Sequence, residues 1–167
     1  MILISESYRA QNVALHEDAR YGTSGHKMAG EVLAIADMFQ TRDILDYGCG
    51  KQTLQAALGF PVRGYDPCIS GMDAEPDPAE FVVCGDVLEH IEPEYLDNVL
   101  DDLQRVTKKV AYLIIANKPA KKALPDGRNA HLIQEPVAWW MPKILARFNL
   151  ISFTTKKTNL HFICVPL

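Results

Sequence analysis

Two runs in the chain, Phe81-Val82-Val83-Cys84 and Val110 to Ala116, carry no charged or amide side chain and are shorter than an ordinary helix. A strand that is apolar on both sides has to be covered on both sides. That condition belongs to a parallel sheet with helices on each face. The remaining segments supply the covers. Met28, Val32, Ile35, Ala36 and Phe39 recur at helical spacing behind a Ser24 cap, predicting a helix from about His26 to Phe39. Asp43 to Tyr47 predicts a strand, Gln52 to Leu58 a helix stopped by Gly59, and Pro61 to Tyr65 a second strand. Cys68 to Glu80, with Pro76 and Pro78, reads as loop. Glu94 to Val106 is strongly amphipathic, and Pro136 opens a helix to about Phe148. The final stretch predicts an antiparallel strand pair turning around Lys156 to Asn159. The expected fold is a three-layer α/β sandwich on a mostly parallel, doubly wound sheet. At 167 residues the chain suits one domain, with residues 1–25 as an N-terminal arm or lid.

Composition narrows the setting. No apolar run reaches membrane-span length, and the first twenty residues lack the basic-then-apolar order of a signal peptide. Cys49, Cys68, Cys84 and Cys164 are scattered, which favours free thiols in a cytoplasmic protein over a zinc site or disulfide framework. The net charge of −4 does not by itself indicate nucleic acid. It is unevenly spread, however: residues 1–103 hold 6 Lys/Arg and 19 Asp/Glu (−13), whereas residues 104–167 hold 11 and 2 (+9). Much of the positive charge lies in Lys118 to Arg128, a run that is most simply a solvated face. Its position just after a strand end makes it a candidate border of a ligand crevice, because such crevices lie beyond the carboxyl ends of parallel strands.

The first strand runs directly into Gly48-Cys49-Gly50. Glycines there let the backbone turn sharply and approach a ligand, although the same turn also serves simply to link strand to helix. Thr53 stands where a dinucleotide fingerprint needs its third glycine, and Leu45 where a phosphate loop needs its first. Asp46 repels a pyrophosphate but suits an ammonium group. Asp66, 16 residues after Gly50, can accept ribose hydroxyls, its plainer role being to start a turn before Pro67. A ribose joined to a cationic amino-acid end describes S-adenosylmethionine.

On these residues the chain resembles the class I, Rossmann-like S-adenosylmethionine-dependent methyltransferases, of a compact bacterial or phage type. Ile44-Leu45-Asp46-Tyr47-Gly48-Cys49-Gly50 looks like their first motif, Tyr65-Asp66-Pro67 like their acidic ribose loop, and Val87-Leu88-Glu89-His90-Ile91 like the segment after their fourth strand. The resemblance implies methyl transfer, with Asp46, Tyr47, Gly48, Cys49, Gly50, Asp66, Pro67, Gly85 and Asp86 around the cofactor. Only 13 residues separate Pro67 from Phe81, so the third strand region is expected to be shortened or missing, leaving Ile69 and Met72 as candidate adenine contacts.

Asp86-x-x-Glu89-His90 with His131 also resembles the metal-binding constellation of small-RNA 3′-end 2′-O-methyltransferases, with Asp86 standing in for a glutamate. The resemblance implies a divalent Mg, Mn or Zn ion held by Asp86, Glu89, His90 and His131 that lowers the pKa of an acceptor hydroxyl. The metal-free alternative makes His90 a general base, with Glu89 beside it. The plainer reading of all four is a set of polar residues at loop–helix junctions. Trp139 and Trp140 are expected to be one surface and one core residue; His16, His26 and His161 receive no role. The leading expectation is transfer to an oxygen of a small or phosphate-bearing acceptor, a small molecule or nucleotide-like compound, with a neutral metabolite fully open, no membrane partner and the oligomeric state left open. The competing readings are a cofactor-binding module or inactive partner subunit, a nicotinamide oxidoreductase, and a cofactor-cleaving enzyme.

Overall fold

The computed structural model describes residues 1–167. The elements run α1 (Glu6–His16), α2 (Ala29–Met38), β1 (Ile44–Tyr47), α3 (Thr53–Leu58), β2 (Arg63–Tyr65), β3 (Ala79–Gly85), α4 (Leu96–Val106), β4 (Thr107–Ala116), α5 (Val137–Leu145), β5 (Phe148–Lys156) and β6 (Asn159–Pro166). The six strands lie in the order β2-β1-β3-β4-β6-β5. β1 pairs in parallel with β2 and β3, and β3 with β4; β6 is antiparallel to both β4 and β5. The expected parallel sheet with a C-terminal antiparallel pair is therefore present. No strand lies beyond β2, so the short loop after Pro67 does replace a strand and its helix.

Both faces are covered, as the wholly apolar strands require. Leu45, Val82, Cys84, Leu113 and Ile115 point to one side and pack on Leu100 and Leu103 of α4 and Trp140 and Ile144 of α5. Ile44, Phe81, Val83, Tyr112 and Ile114 point to the other and meet Val32, Ile35 and Ala36 of α2. The helix expected from His26 begins instead as a 3₁₀ turn, Ser24–Met28, and Ser24 makes no cap. Trp140 is fully buried, while Trp139 lies half-buried beneath the Lys143 ammonium, 4.5 Å from its ring centre.

The N-terminal arm contains a helix that hydrophobic periodicity does not show. Ser5 caps α1, accepting from the Tyr8 N–H at 3.2 Å, and both Ser5 polar groups donate to Glu92 at the start of the α4 region. The buried face of α1 is Tyr8 and Asn12, a polar stripe rather than an apolar one. No helix is long and apolar enough to cross a membrane.

Candidate active site

The segments after β1, β2, β3 and β4 open onto one crevice of about 500 Å³. Gly48, Gly50, Asp66, Pro67, Asp86, Glu89, His90, Lys118, Lys121, Lys122 and His131 all line it. Its roof is the N-terminal segment, through Tyr8, Asn12, His16 and Tyr21.

Local geometry explains the glycine turn. Gly48 has φ +80°, and a Cβ there would lie 2.3 Å from a Val87 methyl. Gly50 has φ +49°, and its Cβ would meet the Gly22 carbonyl at 2.6 Å. The roof thus rests directly on the turn, and the Lys51 N–H donates to that same Gly22 carbonyl at 2.8 Å. Asp66 faces the turn: Oδ2 accepts from the Gly50 N–H at 3.2 Å and Oδ1 from the Cys68 N–H at 2.9 Å. Asp46, expected at the cofactor, is buried beneath the turn and does not line the crevice; burial together with the nearby Asp66 charge pushes its carboxyl up to about 7.

Other expected cofactor residues point elsewhere. Tyr47 is buried, and its hydroxyl donates to Asp102 of α4 at 2.8 Å, because alternation along β1 turns its ring to the face opposite Asp46. The Cys49 sulfur packs over Gly64, and Gly85 leaves room for the Met28 side chain. Neither Ile69 nor Met72 lines the crevice; the Met72 sulfur accepts from the Gln52 amide at 3.1 Å, folded back over the start of α3.

Glu89, His90 and His131 do converge: one ligand atom from each lies within 4.8 Å of the others. A single 3₁₀ turn, Leu88–His90, carries the first two, and this irregular entry lets adjacent residues face one point. Glu89 is fully buried; Oε1 accepts from the Ala116 N–H at 3.0 Å and Oε2 has no partner. Burial, reinforced by Asp86, pushes its carboxyl up to about 8. Burial and the adjacent His131 hold the His90 imidazole down at about 4, and its Nδ1 is sealed without a partner. His131 Nδ1 lies 2.6 Å from the Lys118 carbonyl, the position of a donor, which leaves Nε2 as the lone-pair nitrogen. Asp86 does not join this group. Its backbone is left-handed, φ 57°, a strained conformation for a non-glycine residue at the crevice edge.

A model of the methyltransferase domain family matches residues 17–158. The chain belongs to this family. It is a class I, S-adenosylmethionine-dependent methyltransferase by family and fold. No curated protein matches it in sequence. Among solved structures, a Pyrococcus horikoshii OT3 protein superposes with a TM-score of 0.65 at 14% identity, covering 98% of this chain and 100% of its own. A Burkholderia thailandensis 1,6-didemethyltoxoflavin N1-methyltransferase, solved with its acceptor and S-adenosylhomocysteine, gives 0.66 at 14% identity, covering 95% and 86%. A Synechocystis PCC 6803 magnesium protoporphyrin IX methyltransferase with bound S-adenosylhomocysteine gives 0.60 at 19%, covering 95% and 93%. At these identities the likeness is one of fold.

The methyltransferase crevice holds residues that sequence patterns missed. His16, given no role, sits with Nε2 3.9 Å from Asp66 Oδ2. Tyr8 donates to the His90 carbonyl at 2.6 Å, and Tyr21 stands between the two ends of the site. The only signal available was the i, i+4, i+8 spacing of Tyr8, Asn12 and His16, a polar stripe that ordinarily marks a solvent face. Lys122, expected to face an acceptor, is engaged with Asp18 of the roof at 2.7 Å.

Proposed function

We propose that this chain transfers a methyl group from S-adenosylmethionine to an oxygen of a small, phosphate-bearing acceptor, and that a divalent cation at Glu89, His90 and His131 assists. The observation that carries the reading is the incompletely bonded cluster of buried Glu89 with half-buried His90 and His131, facing the same crevice as the glycine turn and Asp66. The residues around the turn fit the cofactor: Gly48 and Gly50 line the crevice and carry no side chain of their own, and the buried Asp66 carboxylate beside them suits a ribose. When bound, the sulfonium supplies an electrophilic methyl group. Asp66 would accept from the ribose, and Asp46, buried behind the turn, would act on the amino-acid end only through its field when ionised.

The cluster also fits a cation. Buried polar atoms without partners cost stability, and Glu89 Oε2 and His90 Nδ1 are both of this kind. Two imidazoles and a carboxylate suit Mg, Mn or Zn, and such an ion would supply Lewis acidity that lowers the pKa of an acceptor hydroxyl. The protein's own part is to hold His131 by the Lys118 carbonyl, exclude water around Glu89, and keep the His90 imidazole neutral and free to ligate. Lys27, Lys118 and Lys121 at the crevice mouth form no ion pair and suit an anionic acceptor.

The test is methyl transfer from labelled S-adenosylmethionine to a panel of phosphorylated and unphosphorylated hydroxyl compounds, with and without chelator. Transfer to oxygen, lost in chelator and restored by Mg, Mn or Zn, is the expected result. Full activity in chelator would remove the cation and leave His90 as the general base. Label on nitrogen or carbon would overturn the oxygen assignment.

A further inference from the structure

Asp66, the ribose acid, already shares its surroundings with a side chain that the mechanism above does not use. His16 ends α1, and its Nε2 lies 3.9 Å from Asp66 Oδ2. That is too long for a direct hydrogen bond, yet two atoms so spaced can both bond one oxygen at about 2.8 Å, subtending about 90° there. A hydroxyl suits such a seat, because it donates to a carboxylate and accepts from an imidazole N–H. We propose that His16 is a second holder of the cofactor ribose, one hydroxyl sitting between His16 Nε2 and Asp66 Oδ2.

Five observations support the assignment. Asp66 has capacity to spare: its two oxygens take one backbone N–H each, from Cys68 and Gly50, and a carboxylate offers about four acceptor positions. The His16 ring is fixed before any ligand arrives, packed edge-on against Tyr21 at 4.9 Å and 78°. Its main chain is fixed too, since the Lys51 ammonium binds the His16 carbonyl at 3.0 Å and the Asp18 carbonyl at 2.8 Å. Lys51 directly follows the glycine turn, so the ring is positioned by the same loop that borders the cofactor. Finally, His16 Nδ1 is buried without a partner, so Nε2, facing Asp66, is the nitrogen through which this ring can serve a ligand. The contact of Gly22 with Gly50, where a Cβ on Gly22 would lie 3.0 Å from the His16 ring and 3.2 Å from Gly50 Cα, leaves the ring little room to swing away.

A ring that merely plugged the acid would behave differently, and the two cases separate in a binding cycle. The full chain is titrated calorimetrically with S-adenosylhomocysteine and with its 2′-deoxy and 3′-deoxy analogues, as wild type, His16→Leu and His16→Gln. In the wild type, loss of the shared hydroxyl weakens binding about tenfold, the scale of a hydrogen bond to a charged group. His16→Leu weakens S-adenosylhomocysteine by a similar factor but costs the analogue lacking that hydroxyl almost nothing further. His16→Gln keeps an N–H donor and recovers part of the loss, which also answers the objection that leucine disturbs the fold. Equal losses for the parent compound and both analogues would overturn the proposal, as would unchanged or tighter binding in His16→Leu. The inference rests on the family's cofactor. A wild type that binds no S-adenosylhomocysteine overturns the cofactor reading as well, whereas binding without coupling to either hydroxyl overturns His16 alone.

Discussion

Asp46 shows how a single residue ties stability to the ligand. Its carboxyl is desolvated by burial and repelled by Asp66, and it ionises only near 7. An unfolded aspartate ionises near about 3.9. Between these values the folded chain binds more protons than the unfolded one, so this group lowers stability as pH rises through the window. Asp46→Asn is therefore expected to unfold at the same temperature as wild type near pH 4 and at a higher one at pH 8, while binding S-adenosylhomocysteine more weakly. A pH-independent difference between the two melting curves would show that Asp46 is not the strained group. Glu89, pushed up to about 8 for the same reason, extends the effect to higher pH in both proteins. Asp66→Ala is expected to weaken S-adenosylhomocysteine binding by about 2–3 kcal/mol, read by calorimetry, and unchanged affinity would place the ribose elsewhere. Gly48, Gly50 and Asp66 were legible in the sequence because a strand, its turn and the acid ending the next strand are set by local pattern. Tyr47, Cys49 and Gly85 satisfy the same motif, but strand alternation and the packing of Met28 and Gly64 commit them elsewhere.

At the scale of elements, the strands and the amphipathic α4 were readable because burial imposes a period on their side chains. α1 was not, because its inner face is Tyr8 and Asn12 and covers a polar crevice. The site's roof was therefore invisible as a helix, and with it His16 and Tyr21. The loop between β4 and α5 was legible as basic and as bordering the crevice, but its lysines divide in a way that composition cannot show. Lys118 and Lys121 line the crevice without ion pairs, while Lys122 holds Asp18 and lies 5.3 Å above the Tyr21 ring. Replacing Lys118 and Lys121 with Ala is expected to raise KM for a phosphate-bearing acceptor about tenfold, with kcat and cofactor affinity nearly unchanged. A neutral acceptor turned over with the same loss would show that the two lysines shape the loop rather than meet an anion.

Across the whole molecule, the opposite charges of residues 1–103 and 104–167 are joined by ion pairs. Arg105 meets Glu75 and Asp102, Lys109 meets Glu80, Lys122 meets Asp18, Arg147 meets Asp97 and Asp101, and Lys156 meets Glu31. Of these, Lys122–Asp18 is the one at the crevice, joining the basic loop after β4 to the N-terminal roof. Lys122 holds the Asp18 carboxyl well below the usual carboxylate range, so the pair stays charged throughout neutral pH. Both side chains are one-third exposed, and salt screens such a pair. Such a screened pair is weak and opens readily, and its two residues sit on the loop beside the crevice and on the segment above it. Raising the ionic strength from about 0.01 to 0.5 M is expected to speed release of S-adenosylhomocysteine a few-fold, measured by stopped-flow displacement. In Asp18→Asn release should already be fast at low salt, with most of the salt dependence gone. Wild-type release that ignores salt, or an Asp18→Asn variant with the same salt slope as wild type, would mean that the roof is held by its other ties, among them Ser5–Glu92, Tyr8–His90 and Lys51, and that the basic loop has no part in keeping the cofactor in place.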